Sequence, residues 1–385
     1  MTEPWPRVQA ALSPQRLHAT FLDLLRIYSP SGKEEDVQLY LEATLLAGGV
    51  QVRRQAVADE RYNLVATLGT RPPELFLVGH VDTVPAWGLE MVVPRQSGDI
   101  ISGLGSADMK GGCAAMVETF LALASLPLNE QPSVGLLLAV DEEETGAGSV
   151  AFLRQLRPQW VVIGEPTSLT ACFAHFGYLE AHLITKGRRI HSSLPELGHN
   201  AVESMLRVLL HLGRTSLFDR SGSGVVHSIR EMVSSRAGFV VPDRCETWID
   251  LHLAPKLAPA QVEREIRTLA TTAGERIPEL DLELTFAYAS PGFDLGTDSA
   301  LAHTLATIGP EIGIELPMDT FRSHSDGNLF HEAGVKPLLF GPGDLEVAHT
   351  PDERVDFGQI VQAAKVYSAL CLRCDSLVPS APLIC

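Results

Sequence analysis

The chain has 385 residues, with 30 Lys and Arg against 47 Asp and Glu, and a formal net charge of −17. That length allows more than one domain around a large core, and the acidity, with no basic patch to offset it, excludes a phosphate-backbone partner such as a nucleic acid. No apolar stretch is long enough to span a membrane, and the start Met1-Thr2-Glu3-Pro4-Trp5 lacks the basic and apolar regions of a signal peptide, so a cytoplasmic protein with no membrane partner is expected.

Residues 14–47 read as helical, broken by Ser29-Pro30-Ser31-Gly32 and restarted at Lys33-Glu34-Glu35-Asp36. Strand and helix signals then alternate to about Pro166. That is the pattern of an α/β fold, a mixed, mainly parallel sheet covered by helices. Leu75-Phe76-Leu77-Val78-Gly79 runs into His80-Val81-Asp82. Asp108 sits in the loop Gly103-Leu-Gly-Ser-Ala-Asp-Met-Lys-Gly-Gly112, ahead of a helical stretch over 113–126. This stretch is apolar almost all round and is expected to be buried against the sheet. Leu136 to Val140 runs into Asp141-Glu142-Glu143-Glu144, and Trp160 to Gly164 into Glu165. Pro337 to Phe340 leads through Gly341-Pro-Gly343 to His349. Short apolar runs followed by turn signals read as buried strands. Ligands of open α/β sheets collect at the carboxyl ends of the strands, so the side chains after these runs are expected to converge.

The middle of the chain has a different rhythm. Strand-like alternation covers 178–186, 245–253 and 281–288, with a further strand near 225–233 and helical patterns over 201–212 and 258–273. The order β-α-β-β-α-β is a split βαβ, or ferredoxin-like, α+β arrangement. It lies between Glu165 and His349, so the expected domains are 1–176 and 291–385, together a discontinuous catalytic domain, and 177–290, an insertion. Six cysteines are scattered, and Cys371-Leu-Arg-Cys374 lacks the second pair that a tetrahedral site needs. Reduced, partly buried thiols are the better reading.

Two histidines and several carboxylates at converging strand ends can hold two divalent metal ions, which points to a hydrolase. A zinc-bound histidine commonly gives its other ring proton to a carboxylate, and Asp82 can serve His80 in this way; the alternative is a surface turn with an incidental histidine. Asp108 can bridge two cations or simply cap a helix. On an extended segment Glu142 and Glu143 would point to opposite sides, one to a metal and one to metal-bound water, where a solvated acidic turn is the alternative. Glu165 is fixed between Gly164 and Pro166, and His349 lies in Ala-His-Thr-Pro-Asp-Glu353. Each alone has a bland explanation, and their joint recurrence carries the reading.

On these residues the chain resembles the M20 family of zinc-dependent amidohydrolases and exopeptidases, near the acetylornithine deacetylase and succinyl-diaminopimelate desuccinylase branch. The matching stretches are Gly79-His-Val-Asp-Thr-Val-Pro85, 103–112, Asp141-Glu-Glu-Glu-Thr-Gly146, Gly164-Glu-Pro-Thr167, 187–202 and Ala348-His-Thr-Pro-Asp-Glu353, in the family's order. The resemblance implies that His80, Asp108 and Glu165 bind one zinc and Asp108, Glu143 and His349 the other, with Co²⁺ able to substitute. It implies Glu142 as general base, Asp82 as the residue that orients His80, and a cis peptide after Asp108. It implies a homodimer through the inserted domain, which is also a lid, with His191 reaching the partner's site to polarise the scissile carbonyl. A water between two zinc ions loses a proton near neutral pH, and Glu142 would take that proton and deliver it to the leaving nitrogen.

The reaction expected is hydrolysis of the amide bond of an N-acyl amino acid, as in an acetylornithine deacetylase. The alternatives are a dipeptidase or aminopeptidase, a desuccinylase, or a catalytically silent metal-binding dimer. The last would require loss of the base or a ligand, and none is missing. Many members of the family have Asn where Phe239 stands and Arg where His252 stands, groups that hold a substrate carboxylate. Arg236, Arg322, His324 and Asn328 are the candidates to take over that role, or else Arg236 and Arg322 are surface residues.

Overall fold

The structure, a computed structural model, describes residues 4–58, 60–219, 222–235 and 238–377. The chain divides into two compact units, one of Met1–Phe173, Leu295–Phe321 and Ser325–Cys385, the other of Ala174–Asp294 with Arg322–His324.

The apolar runs form the parallel centre of the first unit's sheet. Leu75–His80 pairs in parallel with Gly135–Ala139 on one side and Trp160–Ile163 on the other, and Trp160–Ile163 pairs in parallel with Lys336–Leu339. Every residue of the first three strands is buried. Strands covered on both faces lack a polar side, so they read as unbroken runs rather than as alternation. Antiparallel strands Val52–Ala58 and Arg61–Thr67 extend one side, and Ala171–His175 flanks the other.

The helix Lys110–Ala124 is buried along nearly its whole length, packed against helices Pro14–Arg26 and Phe357–Cys371. Its one buried acid beyond the first turn, Glu118, is paired with Arg16 at 2.7 Å. A Cβ at Gly112 would lie 2.4 Å from the carbonyl oxygen of Gly164. Only glycine lets this helix approach the segment that leads to Glu165, and that approach brings Asp108 to the strand ends.

In the second unit, Val225–Ser234, Arg244–Leu253, Gly177–Lys186 and Asp281–Ser290 lie side by side in that order, all antiparallel. This is the ferredoxin-like order of a split βαβ. Helices Ala201–Leu212 and Pro259–Arg276 supply Met205, Val208, Val262 and Ile266 to a core with Leu179, Leu183, Ile249 and Leu251. The strand Arg244–Leu253 alternates buried and half-buried positions, as a sheet with one covered face requires. Val225–Ser234 is an edge strand and leaves Val226, Ile229, Met232 and Val233 exposed.

Among the described residues no helix is long and apolar enough to cross a membrane. Cys113, Cys172, Cys245, Cys371 and Cys374 are buried free thiols, and Cys385 lies outside the described residues.

Candidate active site

His80 closes its buried strand with Nε2 3.1 Å from Oδ1 of Asp108. The other oxygen of Asp108, Oδ2, lies 3.3 Å from Nε2 of His349, and Oε2 of Glu143 lies 3.0 Å from that same nitrogen. Glu165 is 3% exposed, and its Oε1 has no hydrogen-bond partner among the described residues. Two sets of candidate ligands result, His80–Asp108–Glu165 and Asp108–Glu143–His349, each with its ligand atoms within 4.8 Å of one another. Asp108 belongs to both sets, and the peptide that follows it is cis.

The electrostatics of this cluster call for cations. Burial pushes Glu142 and Glu165 well above the usual carboxylate range, with the charge of Glu165 reinforcing the rise at Glu142 and that of Asp108 the rise at Glu165. Burial raises Glu143 as well. Burial would also raise Asp108, but hydrogen bonds from His349 and His80 hold it well below its ordinary value. Burial would lower His349, yet Asp108 and Glu143 raise it to about 11. Crowded buried carboxylates are costly unless a positive charge compensates them. Imidazole and carboxylate donors with one enclosed oxygen left unpartnered fit divalent cations of the zinc type.

Asp82 is fully buried, but its geometry differs from a simple carboxylate–histidine contact. Nδ1 of His80 lies 3.1 Å from the backbone oxygen of Asp82 and 3.6 Å from its carboxylate. The carboxylate instead accepts the N–H groups of Glu142 at 3.2 Å and Glu143 at 3.1 Å, and the hydroxyl of Ser31 at 2.8 Å. Glu142 and Glu143 therefore lie not on an extended segment but on a turn over 141–145. Asp141 opens it with φ of 70°, and its carbonyl accepts the N–H of Gly146 at 2.7 Å. Within the turn, Glu142 points Oε2 to 3.9 Å from His80 Nε2, and its Oε1 accepts the N–H of Asp326 at 3.2 Å.

Several supporting residues have no local signature in the sequence. Glu353, 3% exposed, accepts the N–H groups of Gly105, Ala107 and Asp108 at 2.9, 2.9 and 3.1 Å. Arg61 bridges Glu34 and Asp141 and so anchors the acidic turn. Lys110 is buried, and its ammonium group donates to the carbonyls of Leu24 and Ile27 at 3.0 and 2.7 Å. The thiol of Cys113 donates to the carbonyl of His80 at 3.0 Å. Glu353 stood in a matching stretch, but nothing local to it indicates which amides it receives.

The remaining candidates are dispersed. His191 is exposed in the second unit, with Nδ1 2.7 Å from Ser193 Oγ. His324 stacks on Tyr178 in that unit at 4.2 Å, and Arg322 is exposed there. Asn328 is buried, and its Oδ1 accepts the N–H of Ser325 at 3.3 Å within a capping box of the helix Asp326–Glu332. Arg236 lies outside the described residues.

The chain is similar to a "probable carboxypeptidase" of Aspergillus oryzae, 30% identical over 380 residues that cover 90% of this chain and 87% of the relative. It is 29% identical over 345 residues to a candidate LysW-lysine/LysW-ornithine hydrolase of Pyrobaculum aerophilum, covering 89% of this chain and 93% of that one. Human carnosine dipeptidase 1 shares the fold, with a TM-score of 0.80 at 16% identity, over 97% of this chain and 99% of the other. These names do not single out the acetylornithine branch. The family model for peptidase family M20/M25/M40 matches residues 76–373, a span that takes in both sets of candidate metal ligands. With that match and this geometry, the chain belongs to the M20/M25/M40 peptidase family and is a metal-dependent hydrolase of peptide or amide bonds.

Proposed function

We propose that the protein binds two zinc ions, on His80, Asp108 and Glu165 and on Asp108, Glu143 and His349, and cleaves the amide bond of an N-acyl amino acid. The observation that carries this reading is the split carboxylate of Asp108, one oxygen facing His80 and the other His349. A carboxypeptidase and a deacylase of N-acyl amino acids cut the same type of bond, an amide whose nitrogen belongs to an amino acid with a free carboxylate. The carboxypeptidase names among the relatives therefore support a substrate of that form, with acetylated amino acids and short peptides as its two versions.

When bound, the cations would polarise the scissile carbonyl and acidify water. The protein's part is the proton. Glu142 is buried beside His80, its Oε1 is held by the N–H of Asp326, and its backbone is held by Asp82. Fixed in this way, it takes a proton from water and returns it to the leaving nitrogen. Asp82 orients His80 through its backbone oxygen and shapes the turn through its carboxylate.

The same proposal includes a homodimer through the second unit, with His191 supplied to the partner's site. The edge strand Val225–Ser234 supports it, since it leaves Val226, Ile229, Met232 and Val233 exposed. Long exposed edges with apolar side chains are templates for pairing with another chain. The deciding experiment is a screen of zinc-loaded protein against N-acetyl amino acids, dipeptides and longer peptides, scored by free amine. Release from substrates with a blocked C-terminal carboxylate, as fast as from free ones, would refute the assigned substrate form.

A further inference from the structure

Helix Ala201–Leu212 carries Arg207 and His211, with Arg214 just past its end, and helix Pro259–Arg276 ends on Arg276. These side chains meet around a cavity of about 410 Å³ in the second unit, with Leu210 and Ile277 as its apolar wall. No carboxylate lines it. The volume is within the range of small-molecule pockets, about 300–1,000 Å³.

A cation at a helix C-terminus complements the helix dipole, which accounts for one arginine at each end. It does not account for three guanidinium groups and an imidazole around one concavity that no carboxylate lines. In a chain with 47 acidic residues against 30 Lys and Arg, a carboxylate partner would be easy to supply. Arg207 has only Glu203 at 3.8 Å, with both side chains more than half exposed. Arg214 and Arg276 have no ion pair among the described residues. Nε2 of His211 is enclosed without a hydrogen-bond partner among those residues. Like charges gathered in this way repel one another until an anion enters.

We propose that this cavity binds a small organic phosphate. The phosphate oxygens accept hydrogen bonds from Arg207, Arg214 and Arg276, and the organic part lies on Leu210 and Ile277. A guanidinium presents a planar fork of donors that matches phosphate geometry, and one phosphate group has enough acceptor oxygens for several forks. A monocarboxylate offers only two oxygens, both in one plane, where a phosphate group spreads three tetrahedrally toward forks from different directions.

The test is calorimetric titration of the full, zinc-loaded chain with phenyl phosphate at about 0.15 M NaCl, where weak surface attraction is screened. Inorganic phosphate and succinate are titrated alongside. The expected result is one phenyl phosphate per chain, bound more tightly than inorganic phosphate because of the apolar wall, and more tightly than succinate. The double variant Arg214→Ala/Arg276→Ala should weaken binding by about tenfold or more, the scale of one lost charged hydrogen bond. Its melting temperature should be unchanged because both residues are exposed, and Arg214→Lys/Arg276→Lys should retain part of the affinity. Undiminished binding in the alanine variant would place the phosphate elsewhere, at the zinc ions for example, and overturn the site. No saturable heat with the wild type would also overturn it, and succinate binding as tightly as phenyl phosphate would overturn the choice of phosphate.

Discussion

Glu353 accepts the backbone N–H of Asp108 at 3.1 Å, across a separation of 245 residues. Its two oxygens also receive the N–H groups of Gly105 and Ala107, so this one buried carboxylate holds the loop that presents Asp108, the residue common to both sets of candidate ligands. Groups that orient a metal ligand from behind typically change metal affinity by about 10–100-fold when removed. Glu353→Gln keeps the shape but turns an N–H₂ toward backbone donors. Zinc affinity, measured by competition with a chromogenic chelator, should fall by about that factor while the fold stays intact by circular dichroism. An affinity equal to the wild type would remove Glu353 from the metal centre's support.

Glu142 separates metal binding from turnover. It belongs to neither set of candidate ligands, and Glu142→Gln can still accept the N–H of Asp326. This variant should bind two zinc ions by elemental analysis and lose about 10²–10⁴ in kcat, the usual contribution of a positioned acid–base group, with KM little changed. If kcat survives, the proton passes through another residue.

Zinc uptake should release protons. In the metal-free protein His349 is raised to about 11 by Asp108 and Glu143, against the opposing effect of burial. At pH 7 its imidazole therefore carries a proton that a cation must displace, while Asp108, held below its ordinary value, stays ionised throughout. The sign follows: affinity at the His349 site falls as pH falls, because metal and proton compete for the same nitrogen. Titration calorimetry in Tris and in HEPES, which differ in ionisation enthalpy, should give a net release of about one proton or more for that cation. Equal heats in the two buffers would show that His349 is not a ligand.

The parts of the site that lie at strand ends were legible in the sequence, and the parts that depend on tertiary partners were not. His80, Asp108, Glu165 and His349 follow apolar runs or a glycine-rich loop, and a parallel sheet gathers such positions by its geometry. The turn at 141–145 escaped the strand alternation rule because Asp141, a non-glycine residue, takes φ of 70°, a conformation that a carboxylate side chain tolerates. That carboxylate is held by Arg61 from the neighbouring strand at 2.7 Å. The capping role of Asn328 was legible but not read: Ser325-Asp-Gly-Asn328 has the spacing of a capping box with Asn in the usual Glu or Gln place. The grouping of Arg322–His324 with the second unit has no signal in three residues of sequence. The ring of His324 stacks on Tyr178 of that unit.

The dimer proposal joins the exposed edge strand to His191, and the two can be tested separately. Ile229 and Met232 are 49% and 39% exposed on the edge strand, so lysines there should leave the isolated unit folded while opposing any paired copy with like charge. Ile229→Lys/Met232→Lys should run as a monomer by light scattering where the wild type runs as a dimer. If His191 acts on the partner's substrate, this monomer should also lose kcat by about 10²–10³, the usual effect of removing one donor to a developing oxyanion, while it keeps its zinc. His191→Ala should show the same loss within a dimer, and mixing it with Glu142→Gln should restore part of the activity, because one site in each mixed dimer then has both an intact base and an intact histidine. A fully active monomer would confine His191 to its own chain, and a wild-type monomer would leave the apolar edge strand in need of a different partner.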